Sequence, residues 1–485
     1  MLAAALLLAL VVQTPPPEPI GPLPSARQLA WQELEMCAFV HFGVNTFTDR
    51  EWGEGTESPE IFAPTELDCR QWVSVCKRAG MKGIVLTAKH HDGFCLWPSK
   101  LSKHTVAASG WRDGKGDVLR ELSDACKEAG LGLGLYLSPW DRNQPAYGDS
   151  PAYNDIYAAQ LEEILTGYGP LFEIWWDGAC GEGPNGKRQV YDWERFTSVA
   201  RRCQPNAVIF SDIGPDIRWV GNENGFAGET CWSMLSPAGY GRGETGPPQE
   251  MLNRGLADGT TWIPAECDVS IRPGWFYHAS QDGEVKSLAQ LIEIWHASVG
   301  RNGSLLLNLP VDRRGLVHEN DAARLLELRT WLRTTYEKQI APSADGIGPV
   351  QVSAASASNV RGGDPTYRPE GVLDESGDTF WGTDDDVREA WLELDMGLAQ
   401  RVDRIVLQEP IALGQRVSSF EVQAQLESGW TTVARGTTIG HKRILVFPTV
   451  RASKVRVHIL ESRACPLLSR VSLHLAPQEP PSSTR

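Results

Sequence analysis

The chain has 485 residues, with 46 Lys+Arg against 61 Asp+Glu and a formal net charge of −15. At 41% hydrophobic and 22% charged residues it is a core-forming globular chain, neither disordered nor collagen-like. The acidic balance, without a run of Lys or Arg, excludes the basic footprint that a nucleic acid or an anionic membrane requires and favours an uncharged substrate.

Residues 1–12 are apolar and lead into a proline-rich run that ends at Pro24. Twelve residues cannot cross about 30 Å of hydrocarbon, so residues 1–24 read as a signal peptide and proline-rich linker. That reading predicts a secreted or periplasmic protein without a membrane span. From 25 to 342, short apolar runs alternate with amphipathic stretches, the pattern of βα units around a parallel sheet. The predicted strands are 37–44, 83–89, 131–138, 172–177, 207–212, 229–233, 263–270 and 304–310; helical spacing occupies 65–79, 115–129, 151–168, 190–203 and 286–299. Eight strands make an α/β fold of the (β/α)8 barrel type. Thr65 reads as an N-cap, and Gly80 and Gly130 read as helix stops. Between 343 and 476 the runs at 390–394, 404–408, 420–425, 430–435, 443–447 and 454–459 alternate without helical spacing, which predicts a C-terminal β-sandwich. Residues 477–485 form a Pro/Ser tail. The ten cysteines include no Cys-x-x-Cys pair, and Cys37, Cys76, Cys95 and Cys126 read as buried free thiols.

The active site of such a barrel lies at the C-terminal strand ends, so the polar residues after each apolar run are the informative ones. His41 ends the first run, His90 and His91 the second, Tyr136 the third and Asp177 the fourth; Glu223 lies beyond the fifth, and Glu266 and Arg272 accompany the seventh. Metal hydrolysis would draw on His41, His90, His91 and Asp177. Adjacent strand histidines point apart, however, and no His-Glu-x-x-His occurs, so no metal or other cofactor is assigned. Nor does the barrel region carry a Gly-x-Ser-x-Gly elbow for serine chemistry. Glycoside hydrolysis needs two carboxyl groups flanking one bond, with aromatic faces to hold the sugar. Asp177 beside Trp175 and Trp176 suits it, as does an excess of indoles (18 Trp against 13 Phe and 10 Tyr), although tryptophans also fill cores.

His41-Phe42-Gly43, Glu51-Trp52-Gly53, Lys89-His90-His91-Asp92-Gly93-Phe94, Trp175-Trp176-Asp177-Gly178 and Trp219-Val220-Gly221-Asn222-Glu223 resemble the motifs of the α-L-fucosidases of glycoside hydrolase family 29. The resemblance runs on from Glu266 to Trp275 and into the C-terminal part, which is similar to the discoidin-like, galactose-binding-type domain of this family. The run from Arg218 to Glu223 resembles the subgroup that prefers branched α-1,3/1,4-linked fucose and generally spares simple aryl fucosides.

The resemblance implies a retaining mechanism in which Asp177 attacks the anomeric carbon and a second carboxyl group protonates the leaving oxygen and then activates water, the two sitting about 5–5.5 Å apart. Glu223 and Glu266 are the candidates for the acid/base. Glu223 is preferred because its loop can carry an acid over the leaving group, and Glu266 would then bind sugar hydroxyls. His41, His90, His91, Trp52 and Tyr136 are implied to hydrogen-bond fucose; Glu51 either joins them or is a solvated loop charge. Trp175 and Trp232 are candidates for the wall around the C6 methyl group, a contact worth about 1–3 kcal/mol, with core packing the competing reading for Trp232. Arg272 either meets substrate or pairs with Glu266. The implied partner is a fucosylated oligosaccharide or glycoconjugate, and the alternative from another class is a catalytically silent carbohydrate-binding protein on the same scaffold. In the C-terminal part, Asp364, Tyr367, Asp374 and the turn 381–386 form either a sugar or calcium site or a set of acidic turn formers.

Overall fold

The computed structural model describes residues 14–243, 245–337, 345–374 and 376–478; the apolar stretch 1–12 and the end of the tail lie outside the described residues. Eight parallel strands close into a barrel: β1 (Met36–Val40), β2 (Gly83–Lys89), β3 (Gly132–Leu137), β4 (Glu173–Trp175), β5 (Val208–Ser211), β6 (Ile217–Trp219), β7 (Ala265–Ser270) and β8 (Ser304–Asn308), with β8 paired to β1. Helices Cys69–Arg78, Val118–Ala129, Ser150–Gly167, Trp193–Cys203, Leu288–Ser298 and Glu319–Tyr336 pack outside. The last of these was not among the predicted helices. Asp68 rather than Thr65 caps the first of the six, its Oδ1 accepting the Arg70 and Gln71 N–H groups at 2.9 and 3.3 Å. Gly80 (φ 84°) and Gly130 (φ 68°) terminate their helices in the left-handed region, where a side chain would strain the backbone.

The sixth strand departs from expectation. Residues 229–233 form no strand; β6 follows β5 after only five residues, without an intervening helix. Sequence patterning looks for a helix between barrel strands and passes over three residues such as Ile217–Trp219. Segment 229–233 instead docks on the second domain: Thr438 Oγ1 accepts the Cys231 N–H, and Gln415 Oε1 accepts the Ser233 N–H.

That domain is an antiparallel β-sandwich. Four of the predicted runs merge into two long strands, Ala390–Gln408 and Arg443–Ser462, which pair with each other through register shifts at Asp395/Gln400 and Val402/Arg404. Its core of Leu392, Leu394, Ile405, Phe420, Val457 and Trp381 is separate from the barrel core. The acidic residues of its loops serve turns and ion pairs. Asp364 accepts from Thr366 N, Asp374 from Ser376 N and Thr379 Oγ1, and Asp385 pairs with Arg361, while Tyr367 is buried. Among the described residues no group of His, Cys, Asp and Glu is arranged to hold a metal ion, and no helix is long and apolar enough to cross a membrane.

Residues 15–21, read from sequence as part of a linker, lie as a strap on the sandwich. Arg361 donates to the carbonyls of Pro15 and Pro16, Arg416 to that of Glu18, and Ile20 N–H to Leu413 O. All ten cysteines are free thiols, Cys37, Cys76, Cys95 and Cys126 among the buried ones.

Candidate active site

A cavity of 330 Å³ opens at the C-terminal ends of the barrel strands. Nine of the twelve residues singled out from sequence line it: His41, Glu51, Trp52, His90, His91, Tyr136, Trp175, Asp177 and Glu223. Strand alternation explains the nucleophile candidate's position. Glu173, Trp175 and Asp177 share the inward face of one extended segment, so Asp177 stands at the rim above the Trp175 indole. Its Oδ1 accepts the Ala179 N–H at 2.7 Å and its Oδ2 the Tyr136 hydroxyl at 2.9 Å. The same carboxylate thus closes the turn and faces the cleft, its side chain 24% exposed. Glu223 follows β6 by four residues, and its Oε2 accepts Trp275 Nε1–H at 3.2 Å. Both carboxyl groups therefore stand beyond the C-terminal ends of barrel strands and face one cavity.

The three histidines are neutral imidazoles at neutral pH. Burial pushes His41 down to about 3 against the opposing contact with Asn308; burial, then the neighbouring imidazoles, holds His90 well below the usual histidine range; burial also lowers His91, against the pull of Asp177. The tautomers of His41 and His91 follow from their next contacts. Asn308 Nδ2 donates to Ser270 Oγ and Trp275 O, which leaves Oδ1 to accept from His41 Nδ1–H at 2.8 Å. Ser138 donates to Trp140 O and accepts from His91 Nδ1–H at 2.7 Å. In both rings Nε2 is the acceptor, and in His91 it lies 3.7 Å from Asp177 Oδ2, suited to a sugar hydroxyl. Glu51 accepts from Trp275 N, Phe276 N and His278 Nε2, and so ties its own loop to the one after β7. Trp52, 53% exposed, stands edge-on to His91 and Trp140 at the cavity mouth.

A family model for α-L-fucosidase matches residues 25–337, and one for the F5/8 type C domain matches residues 351–471. The chain belongs to the α-L-fucosidase family. Alpha-L-fucosidase 1 of Arabidopsis thaliana is 43% identical over 465 residues, 95% of this chain and 89% of that protein. Among solved structures, SpGH29 superposes with a TM-score of 0.88 at 41% identity, covering 96% of this chain and all of its own. The Ruminococcus gnavus GH29 fucosidase in complex with fucose gives a TM-score of 0.87 at 31% identity, covering 96% and 97% of the two chains.

On this α-L-fucosidase scaffold three of the twelve residues fall outside the cavity. Glu266 lies within β7 rather than after it, below the pocket floor, where Oε1 accepts Trp175 Nε1–H at 2.8 Å. Arg272 is fully buried and bound to Asp321 and Asp282, not to Glu266. Trp232 packs with Met234, Trp262 and Ile411 under Arg463, at the junction with the sandwich. Sequence reasoning passed over Asp268, Trp219 and Trp275, which do line the cavity. Asp268 shares the inward face with Glu266 one step nearer the rim, so the period of two was the signal available. Its Oδ1 accepts Trp219 Nε1–H at 2.9 Å; burial, then the charges of Glu223 and Asp177, raises its carboxyl well above the usual range.

Proposed function

We propose that the protein is an exported retaining α-L-fucosidase that removes terminal α-1,3/1,4-linked L-fucose from branched glycans. The observation that carries the reading is the pair of carboxyl groups, Asp177 and Glu223, facing one cavity walled by neutral imidazoles and indoles. In the first step an Asp177 oxygen bonds to the anomeric carbon while Glu223 gives its proton to the glycosidic oxygen and the glycan departs. In the second, Glu223 takes a proton from water, the hydroxide oxygen bonds to the anomeric carbon, and the Asp177 ester breaks. Tyr136 and Ala179 hold the Asp177 carboxylate in line; His41, His90 and His91 take fucose hydroxyls; Trp175 forms the floor for an apolar face of the sugar. Export is supported by the apolar stretch 1–12.

Fucose release is measured side by side from a Lewis-type branched oligosaccharide, a linear α-1,2-fucosylated one and an aryl fucoside. Release from the branched sugar alone supports the reading. Ready cleavage of the others overturns the linkage preference, and no release from any favours the silent binding protein. Asp177→Ala abolishes turnover with the fold retained, and azide rescues Glu223→Ala on an activated leaving group. Rescue confined to Glu266→Ala reverses the acid/base assignment.

A further inference from the structure

Beneath the pocket lies a pair of carboxyl groups that the mechanism does not use. Glu173 on β4 and Glu266 on β7, strands separated in the barrel by β5 and β6, project into its interior and are buried to 0% and 2% exposure. Trp31 Nε1–H donates to Glu173 Oε2 at 3.1 Å, and Trp175 Nε1–H donates to Glu266 Oε1 at 2.8 Å. The remaining Glu173 oxygen, Oε1, is buried without a donor among the described residues, while the Glu266 carboxyl stands within hydrogen-bonding reach. A buried acceptor left without a proton donor is costly, and two ionised carboxylates in contact are costlier still. No Lys, Arg or His among the described residues pairs with either group. The other titratable neighbours are the Cys37 thiol on β1, itself pushed up by burial and by both glutamates, and Asp268 on β7. Neither supplies a positive charge. One proton on Glu266, donated to Glu173 Oε1, satisfies every atom of the pair; burial and the Glu173 charge hold the Glu266 carboxyl well above its ordinary range.

The pair reaches the chemistry through one indole. Trp175 stacks on Phe210 with ring centroids 4.0 Å apart at 9° and on Tyr136 at 5.2 Å and 28°. Tyr136 in turn donates to Asp177 Oδ2. We propose that Glu173 and Glu266 share a single proton and act as positioning residues, fixing the Trp175 floor and through it the Tyr136–Asp177 wall. The inference rests on the fucosidase reading for its kinetic consequence but not for the shared proton.

The test uses the full-length protein. Glu266→Gln keeps both contacts, since its amide oxygen accepts from Trp175 and its amide N–H donates to Glu173. It is expected to retain kcat and KM within about threefold. Glu266→Leu leaves the Trp175 N–H and Glu173 Oε1 unpartnered, and KM for the fucoside is expected to rise at least about tenfold, with a smaller change in kcat. A general loss of folded protein would lower kcat in proportion and leave KM alone. Independently of activity, the infrared spectrum at pH 8 is expected to contain a protonated-carboxyl band that shifts on 13C-glutamate labelling and disappears in Glu266→Gln. Absence of that band overturns the shared proton. An unchanged KM in Glu266→Leu, or equal damage by Gln and Leu, overturns the positioning role. If Glu266→Leu fails to fold, the infrared band and the Gln variant still decide. If the wild type releases no fucose from any substrate, the fucosidase reading fails while the band still reports on the pair.

Discussion

Replacing Arg272 by methionine keeps most of the side-chain volume and removes the charge. The guanidinium is fully buried; Nε lies 3.0 and 2.9 Å from the two Asp321 oxygens, Nη1 lies 2.7 Å from Asp282 Oδ1, and Asp321 is itself fully buried. Stripping one partner from a buried ion pair strands the other charge and costs about 3–5 kcal/mol. Over the barrel span 25–337, an unfolding entropy of about 2.1 cal/mol/K per residue sums to about 0.66 kcal/mol/K, so Tm is expected to fall by about 5–8 °C. Burial already raises the Asp321 carboxyl against the pull of Arg272. Without the arginine it rises further, so the folded variant takes up a proton as pH falls and the penalty shrinks. The gap in Tm between wild type and variant is therefore widest near pH 8 and narrower at pH 5. Scanning calorimetry at both pH values, with steady-state kinetics at 25 °C, checks this. A Tm within 1 °C of wild type together with a raised KM would refute the argument and make Arg272 a substrate contact.

Removing the chain through Ile20 strips Arg361 and Arg416 of the Pro15, Pro16 and Glu18 carbonyls, each charge-assisted bond being worth about 1.5–3 kcal/mol. The sandwich is expected to melt earlier and to be cut faster in limited proteolysis, with kcat unchanged; equal proteolysis rates would count against the strap. Burial pushes His296 and His474 down to about 3, so the stability that depends on their neutral form is intact above about pH 6.5 and is lost as pH falls below it. In His296→Gln/His474→Gln the fall of Tm between pH 7 and pH 4 is expected to be shallower, and parallel curves would refute this. Trp52→Ala removes an exposed aromatic face at the cavity mouth and is expected to raise KM several-fold, for a contact worth about 1 kcal/mol, with kcat nearly unchanged. An unaltered KM would mean that the indole does not touch the glycan.

The barrel class, seven of the eight barrel strands, the strand-end histidines and Asp177 were legible from local pattern alone. An apolar run that ends in polar residues marks a strand and its rim, whatever the rest of the chain does. Alternation also tells which side chains face inward. It does not tell how deep along the barrel axis each one sits, because that height depends on the stagger against neighbouring strands. Glu266 and Asp268 share one inward face, yet pairing of Glu266 with Ser304 and of Asp268 with Leu306 sets the first below the Trp175 floor and the second in the cavity. Arg272 could not be assigned from sequence because Asp321, which neutralises it, lies 49 residues away, and the strap's role waits on Arg361, 346 residues from Pro15. Local composition determined which residues are available for chemistry. Only the closed barrel and its partner domain decided which of them meet in the cleft and which are consumed in holding it, because burial and charge pairing are set by contacts between segments far apart in the chain.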